Sequence, residues 1–201
     1  NSTCRLSRSF AVTPSLDINT TPLRYIDTEL KFTEMLLKLT KEKEISVDLE
    51  HSDKSYYGFT CLIQISTRQE DFIIDVFPLW EALPQLNLIF NDPKILKVLH
   101  GAYMDVKWLH RDFDIKLSNL FDTFHAAQHL SHQQCSYAYL LKHYCEVKTD
   151  KKYQMADWRE RPLSEEMLLY ARIDTHYLLE IYDKMKSDII QKAIENKVDT
   201  R

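Results

Sequence analysis

The sequence predicts an α/β domain built around a mixed β-sheet, and three observations support this fold class. First, three strand-like runs separated by short turns occupy residues 44 to 77, which favours an antiparallel meander. Second, a fourth strand-like run, Lys94–His100, leads directly into a helical pattern. Third, the chain beyond Leu120 is mainly helical, with a break at Val147–Pro162. Strands first, then alternation, then helices is the order typical of α/β domains.

Each predicted element has its own apolar pattern. The first three strands are predicted at Glu44–His51, Phe59–Ser66 and Asp71–Phe77. Apolar residues three and four positions apart predict helices over Thr28–Thr40, Pro78–Phe90 and Ala102–Arg111. The longest such stripe runs from Met167 to Met185, and Ser164 before it is the expected N-cap.

Composition restricts the function classes. The 26 basic and 30 acidic residues give a net charge of −4, so a nucleic-acid ligand would need cations or a local basic patch to offset its phosphates. The two glycines, Gly58 and Gly101, are too few for a glycine-rich phosphate loop. The four scattered cysteines form no CxxC pair and are expected to be reduced thiols in an intracellular protein. No apolar run approaches the roughly 18 residues of a membrane helix, and no membrane partner is expected.

Four carboxylates occupy positions where apolar or covered side chains are expected. Asp48 and Glu50 alternate with apolar residues along a predicted strand, so their side chains share one face. Asp105 lies within the apolar stripe of the helix that begins at Ala102, and Asp174 lies within the stripe of Met167–Met185. Taken singly, these positions have structural explanations. They are a solvated strand face, an aspartate favoured by the helix dipole, and a buried salt bridge to an arginine.

If the three elements meet, the four carboxylates form one cluster. Such a cluster does not stay ionised without cations, because like charges raise one another's pKa. Ligand sets made only of oxygen suit Mg²⁺ or Mn²⁺ better than Zn²⁺. Two such ions about 4 Å apart activate the attacking water and stabilise the leaving oxygen in phosphodiester cleavage. The cluster therefore predicts metal-dependent phosphodiester hydrolysis.

The order Asp48-x-Glu50, then Asp105, then Tyr170-xxx-Asp174 resembles the DEDD superfamily of 3′–5′ exonucleases. A tyrosine four residues before the last aspartate is the mark of its DEDDy branch, as in RNase D; the sister branch has a histidine five residues before it, where this chain has Leu169. Over about residues 22–186, longer strings resemble the nuclear-exosome-associated exoribonuclease within the RNase D family. These strings are Val47-DLEH, Gly58-FTCLIQIST, Asp71-FIID, His100-GA, Leu120-FDT, Ala156-DWRERPLSEEML and Tyr170-AR-x-DTHYLL.

The resemblance implies an RNase H-like (DnaQ-like exonuclease) fold with a five-stranded mixed sheet flanked by helices. It implies hydrolytic release of nucleoside 5′-monophosphates from the 3′ end of single-stranded RNA, with two divalent ions, Mg²⁺ or Mn²⁺, as cofactors. Asp48, Glu50 and Asp174 would hold the ion that activates water, and Asp48 and Asp105 would hold the second. Tyr170 would orient that water. The residues implied to contact the terminal nucleotide are His51, Trp108, Lys151 and Gln154.

The expected organisation is an extended arm at 1–22, the DEDDy exonuclease domain at 23–195 and a tail at 196–201. A start without methionine and the lack of the HRDC domain that follows in the family indicate a fragment. The resemblance implies a nuclear location, in RNA processing and decay that includes rRNA processing. The implied partner besides RNA is the exosome, contacted through parts outside this fragment. Close relatives often have an acidic residue where Ile173 stands, and little effect on metal binding is expected because this position is off the catalytic face.

Three other interpretations stay open at this point. A structural zinc site could use His125, His129, His132 and Cys135, although no second CxxC or HxxxH pair accompanies them. An inactive exonuclease fold could serve as an RNA-binding scaffold. A DNA-directed 3′–5′ exonuclease would use nearly the same site chemistry, although the strings DLEH and DWRERPL favour RNA.

Overall fold

A computed structural model describes residues 17–54, 56–149 and 152–199 of the chain. In this part of the protein, six strands form one sheet in the order β1-β4-β3-β2-β5-β6. The strands are β1 (Leu23–Ile26), β2 (Glu44–Ser52), β3 (Phe59–Ser66), β4 (Asp71–Asp75), β5 (Leu96–Leu99) and β6 (Leu120–Asp122). Strands β2, β3 and β4 form the predicted antiparallel meander, whereas β1, β5 and β6 pair in parallel with their neighbours. The α/β class with a mixed sheet is confirmed.

The sheet has one strand more than the five expected. Neither β1 nor β6 has a clear strand pattern in the sequence, because four and three residues are too few to show alternation. Both lie at the edges of the sheet, β1 beside β4 and β6 beside β5. Their pairing is decided by the neighbouring strand rather than by their own residues.

The helices flank the sheet on both faces. They are α1 (Glu29–Leu39), α2 (Val76–Leu79), α3 (Asn87–Phe90), α4 (Tyr103–Phe113), α5 (Thr123–His129), α6 (Tyr137–Cys145), α7 (Glu165–His176) and α8 (Leu178–Asp199). The single helix predicted over Pro78–Phe90 is wrong, since α2 and α3 are separate and a short 3-10 helix precedes α3. Pro84, in the middle of the predicted range, lacks a backbone N–H, so a continuous ladder of helical hydrogen bonds cannot pass through this segment.

The stripe of Met167–Met185 also proves to be two helices, broken at Tyr177. Two carbonyl groups in the last turn of α7 accept hydrogen bonds from other elements. The Ser46 hydroxyl donates to Thr175 O at 2.8 Å, and the Tyr137 hydroxyl donates to Ile173 O at 2.8 Å. These contacts favour ending α7 there, and α8 begins at Leu178. Ser164 caps α7 as expected, accepting from Met167 N.

The two faces of the sheet have different coverings. Val47 and Leu49 lie in the main core with residues of α1 and α4. On the opposite face, α7 packs on Leu62 and Ile73. Asp48 and Glu50 alternate with Val47 and Leu49, so they share the other face of the strand, as the pattern predicted, and α7 covers that face.

A buried ion-pair network attaches α7 to the sheet. Asp71, at the start of β4, accepts from Arg172 Nε at 2.6 Å and lies 2.8 Å from His176 Nδ1. Burial raises the pKa of Asp71, but hydrogen bonds from His176 and Arg172 outweigh it and hold the pKa below its ordinary value. Thr175 adds a hydroxyl contact of 2.8 Å to Ser66 on β3. The helix is therefore fixed in rotation as well as in position.

Several expectations concern the ends of the chain. Residues 1–16 of the expected arm, with Cys4, lie outside the described residues. The remainder turns onto the domain, where Pro22 O accepts from Asp71 N at 2.9 Å. Helix α8 runs through the boundary expected between 195 and 196. Cys61, Cys135 and Cys145 are free thiols. Among the helices of the described chain, none combines the length and the apolar character that a membrane span requires.

Replacing Arg172 with methionine should destabilise the domain by about 3 kcal/mol or more, because Asp71 keeps its burial and loses a charged partner. Urea denaturation with EDTA present measures the change. Arg24→Met is the matched control, since the Arg24 side chain is 49% exposed in its pair with Glu70 and its loss should amount to less than about 1 kcal/mol. Equal losses in the two variants would contradict the anchoring role of Arg172.

Candidate active site

Three predicted carboxylates meet where α7 crosses β2. Oxygen atoms of Asp48, Glu50 and Asp174 all lie within 4.8 Å of one another. Asp48 and Glu50 come from adjacent same-face positions of β2, just before a β-bulge at Glu50/His51. Asp174 comes from the last turns of α7, which the Asp71 network fixes on the sheet. The sequence expectation that these elements converge is met for these three residues.

Asp105 lies outside this group of three but close to it. It is 7% exposed in the first turn of α4, and its charge raises the pKa of both Asp48 and Glu50. The loop before α4 is held by Asp122, which accepts from Gly101 N at 2.8 Å and Ala102 N at 3.0 Å. Gly101 has a φ of +69°, a conformation that side chains rarely adopt. Asp122 and Gly101 thus determine where α4 begins, and with it the position of Asp105 in the first turn.

Burial and mutual repulsion dominate the electrostatics of the cluster. Burial is the largest cause that raises the pKa of Asp48, followed by the charges of Asp174, Asp105 and Glu50. Burial and then the charges of Asp174 and Asp105 raise the pKa of Glu50 in the same way. Burial raises the pKa of Asp105 and of Asp174 to about 7 each. Without cations, the site is therefore partly protonated at neutral pH.

The structure does not support the alternative in which Asp174 forms a buried salt bridge with an arginine. No lysine or arginine of the described chain forms an ion pair with Asp174, and the nearby Arg172 is paired with Asp71. Carboxylate oxygens without a protein cation are the donor set that hard divalent ions prefer. The residues present therefore fit Mg²⁺ or Mn²⁺.

Tyr170 lies one helical turn before Asp174 on α7 and lines the same cleft. This cleft has a volume of about 300 Å³, and its wall includes Asp48, Asp174, His100, Tyr137 and Gln154. Tyr170 leans against Trp158 and Tyr153, with ring centroids 6.0 Å away in each case. Burial, and then the charge of Asp174, raise the pKa of Tyr170, so its hydroxyl stays protonated.

A second cleft of about 560 Å³ adjoins the cluster on the side of Glu50. His51 and Trp108 form its wall as a parallel stack, with centroids 4.1 Å apart and planes 8° apart. Gln154 lines both clefts. Three of the four predicted nucleotide contacts therefore border the carboxylates, whereas Lys151 lies outside the described residues. Because His51 covers one face of Trp108, a base would have to use the other face or the edge.

His51 is held from three sides. Arg111 Nη2 lies 3.3 Å from His51 Nε2, and since arginine only donates, the proton of the neutral ring is on Nδ1. Burial, and then the charge of Arg111, lower the pKa of His51. A Cβ on Gly58 would lie 2.1 Å from His51 Cε1, so only glycine fits beneath the ring. The Trp108 stack closes the remaining side.

A model of 3′–5′ exonuclease domains matches residues 23–190. The chain belongs to this exonuclease family. It is 50% identical over 168 residues to the exosome complex exonuclease RRP6 of Saccharomyces cerevisiae, and 50% identical over 177 residues to human exosome complex component 10. The matches cover 83% and 88% of this chain but only 23% and 20% of those two proteins.

Solved structures agree with the placement in this family. The catalytic core of RRP6 from Trypanosoma brucei has a TM-score of 0.88 and 47% identity, covering 90% of this chain and 50% of that one. Escherichia coli RNase D has a TM-score of 0.75 and 28% identity, covering 83% of this chain and 44% of that one. The exonuclease fold expected from the DEDDy resemblance is therefore confirmed.

Some residues of the exonuclease domain border the site without having been singled out from the sequence. Arg111 and Tyr57 line the second cleft, and His100 and Tyr137 line the first. His100 had a signal, since it begins the string His100-GA, and burial lowers its pKa to about 4. The sequence has no comparable signal for Tyr137, whose distance from α7 is set only by folding.

The zinc alternative has no counterpart in the described residues. The only group there with three or more potential ligands close together is that of Asp48, Glu50 and Asp174. His132 instead lies 2.7 Å from the Tyr144 hydroxyl, and His125 lies 3.2 Å from Gln128 Oε1. Both rings take part in local hydrogen bonds rather than in a shared site.

Replacing Asp174 with asparagine should stabilise the metal-free exonuclease domain increasingly as the pH rises. The folded pKa of Asp174, about 7, is above the unfolded value of about 3.9, so the charged form opposes folding. That opposition is absent below the unfolded pKa and complete above the folded one. The stability gain of the variant should therefore grow by more than about 1 kcal/mol between pH 5 and pH 8.

Urea denaturation in EDTA at both pH values measures this difference. Asp27→Asn is the matched control and should show no such trend, because the Asp27 side chain is 40% exposed and pairs with a lysine, Lys31, rather than with a histidine. A gain for Asp174→Asn that is the same at both pH values would contradict the proposed repulsion. Added Mn²⁺ should reverse the order of the two proteins, since the variant lacks a ligand charge.

Proposed function

We propose that this domain removes nucleoside 5′-monophosphates from the 3′ end of single-stranded RNA by metal-assisted hydrolysis. The observation that carries this proposal is the half-buried carboxylate cluster between two clefts, in a chain of the 3′–5′ exonuclease family. Buried carboxylates with raised pKa values and no protein cation favour a site built for divalent ions.

The proposed ligands are those that the resemblance to DEDDy exonucleases implies, and the close approach of three carboxylates supports the first set. Asp48, Glu50 and Asp174 would hold one Mg²⁺ or Mn²⁺, and Asp48 with Asp105 would hold a second. Bound there, the two ions supply an activated water and stabilise the charge on the leaving oxygen. Asp48 is common to both sets, which agrees with the finding that, after burial, the charges of Asp174 and Asp105 both raise its pKa.

The other site residues position the reactants. The Tyr170 hydroxyl, kept neutral by burial, would hold the attacking water by a hydrogen bond. The His51–Trp108 stack would support the terminal nucleotide, with His51 Nδ1 as a donor. Gln154, at the junction of the clefts, would offer its side-chain amide to the terminal nucleotide. Lys151 would offer its ammonium group. Aromatic walls of this type tolerate any base because each base has a flat face.

The relatives are the basis on which we propose RNA as the substrate, the exosome as a partner and the nucleus as the location. The yeast relative is named an exosome complex exonuclease, and E. coli RNase D is described as an exoribonuclease involved in structured RNA processing. This chain spans about a fifth of the two curated relatives, so a partner surface on it is not implied. An inactive RNA-binding scaffold and a DNA-directed exonuclease are the competing functions.

Incubation of the domain with 5′-labelled single-stranded RNA and Mn²⁺ tests the proposal. We expect a ladder of products shortened from the 3′ end and released nucleoside 5′-monophosphates. Asp48→Asn and Asp174→Asn should each slow the reaction about a thousand-fold, because a buried ligand charge is lost. Asp114→Asn should behave as the parent. Binding without shortening would favour the scaffold, and faster cleavage of matched DNA would favour the DNA enzyme.

Tyr170→Phe should lower kcat about 10- to 100-fold and leave KM for RNA nearly unchanged. The change removes one hydroxyl whose hydrogen bond to the water is worth about 1.5–3 kcal/mol in such surroundings. Single-turnover kinetics with labelled RNA separates the two constants. Tyr153→Phe, which removes the hydroxyl of the neighbouring ring, is the control. A higher KM with unchanged kcat would make Tyr170 a substrate-binding residue instead.

A further inference from the structure

Gln64 is a polar side chain whose hydrogen bonding is incomplete. It lies on β3 with an exposed fraction of 0%. Neither its Nε2 nor its Oε1 has a hydrogen-bond partner in the part of the chain that the structure describes. An amide buried in this way destabilises the folded state by about 1–3 kcal/mol, so such groups in native proteins need a physical explanation.

The position of Gln64 identifies its candidate partners. In the antiparallel register, Gln64 lies directly opposite Asp48 on β2 and opposite Ile73 on β4. Directly opposed residues share a face and have Cβ atoms about 4.5–5.5 Å apart. Gln64 therefore lies on the face that α7 covers, next to a carboxylate of the proposed metal site.

The other neighbours on this face do not provide a partner. Ile73 and Leu62 are apolar and lie in the core beneath α7. Ser66, the next same-face residue of β3, uses its hydroxyl to bond Thr175 at 2.8 Å.

On β2, Ser46 and Glu50 are the diagonal neighbours of Gln64, and the Ser46 hydroxyl already donates to Thr175 O at 2.8 Å. Asp48, directly opposite Gln64, is nearer to it than the diagonal Glu50 and is the best-placed partner.

We propose that Gln64 is a positioning residue that donates its Nε2–H to the Asp48 carboxylate, directly or through one buried water, when divalent ions are bound. This inference rests on the proposed metal site. Asp48 would be shared by two ions, so the direction of its carboxylate determines both coordination shells. Residues that hydrogen-bond a metal ligand from behind fix its orientation, and their loss weakens metal binding about 10- to 100-fold.

The proposal also explains why an unpartnered amide is retained in the core. A leucine at this position would fill a similar volume without an unsatisfied polar group. In the metal-free protein, such a residue should be neutral or stabilising. An amide is favoured only if the ion-bound state gives it a partner.

Isothermal titration with Mn²⁺ tests the proposal without relying on catalysis. We expect Gln64→Leu and Gln64→Met to weaken Mn²⁺ binding about 10- to 100-fold, while their melting temperatures in EDTA equal or exceed that of the parent. Ile73→Leu is the matched control, because it alters packing on the other side of Gln64 and keeps the amide. It should bind Mn²⁺ within threefold of the parent.

Mn²⁺ binding within threefold of the parent in both Gln64 variants would overturn the proposal. If neither variant folds, the side-chain amide signal of Gln64 in ¹⁵N-labelled parent protein decides the question. Its protons should shift downfield and exchange more slowly when Mg²⁺ is added, and an unchanged signal would again overturn it. Parent protein that binds neither ion would refute the metal site itself, whereas parent binding with unaffected variants would refute only the role of Gln64.

Discussion

The attachment of α7 to the sheet is the interaction on which the site depends. Asp174 on this helix faces Asp48 and Glu50, and their charges repel one another when no cation is present. A helix held only by apolar contacts could relieve the repulsion by turning. The Asp71 pairs with Arg172 and His176 oppose that rotation from the other side of the helix. The electrostatic repulsion in the site is therefore opposed by a buried ion-pair network whose helix residues, Arg172 and His176, lie two positions before and after Asp174.

In each of the sequence motifs, some residues anchor the local structure and others supply the site chemistry. In Tyr170-AR-x-DTHYLL, Arg172, Thr175 and His176 bind residues of the sheet, while Tyr170 and Asp174 face the cleft. In Leu120-FDT, Asp122 holds the loop that leads to Asp105. In the string Ala156-DWRERPLSEEML, Arg161 pairs with Asp75 and Ser164 begins α7. Much of each motif is thus needed to hold a few reactive atoms in place.

Rigid support also characterises the second cleft. The ring of His51 is bounded by Gly58, Arg111 and Trp108, which leave it one orientation and one neutral tautomer. A side chain fixed in this way loses little conformational entropy when a nucleotide binds. Arg111, which contacts His51, also donates hydrogen bonds to the backbone carbonyls of Tyr57 and Gly58. It therefore links the residues just before β3 to the wall of the cleft.

The sequence by itself determined the features that repeat along one element. Alternation placed Asp48 and Glu50 on the face of β2 away from Val47 and Leu49, and helical spacing placed Tyr170 beside Asp174. Ser164 marked the N-terminal cap of α7. The order of strands and helices gave the mixed α/β class for the same reason, because periodicity reports which side of an element is covered. Resemblance to the DEDDy exonucleases then joined these faces into one site.

Only the tertiary structure decided which groups meet across elements. The break between α7 and α8 depends on hydroxyls from Ser46 and Tyr137, which are distant in the chain. The pairing of Arg172 with Asp71 rather than Asp174, the stack of His51 on Trp108 and the position of Gln64 opposite Asp48 are of the same kind. Spacing along a chain specifies directions within a helix or strand, whereas contacts between elements depend on the packing that brings them together.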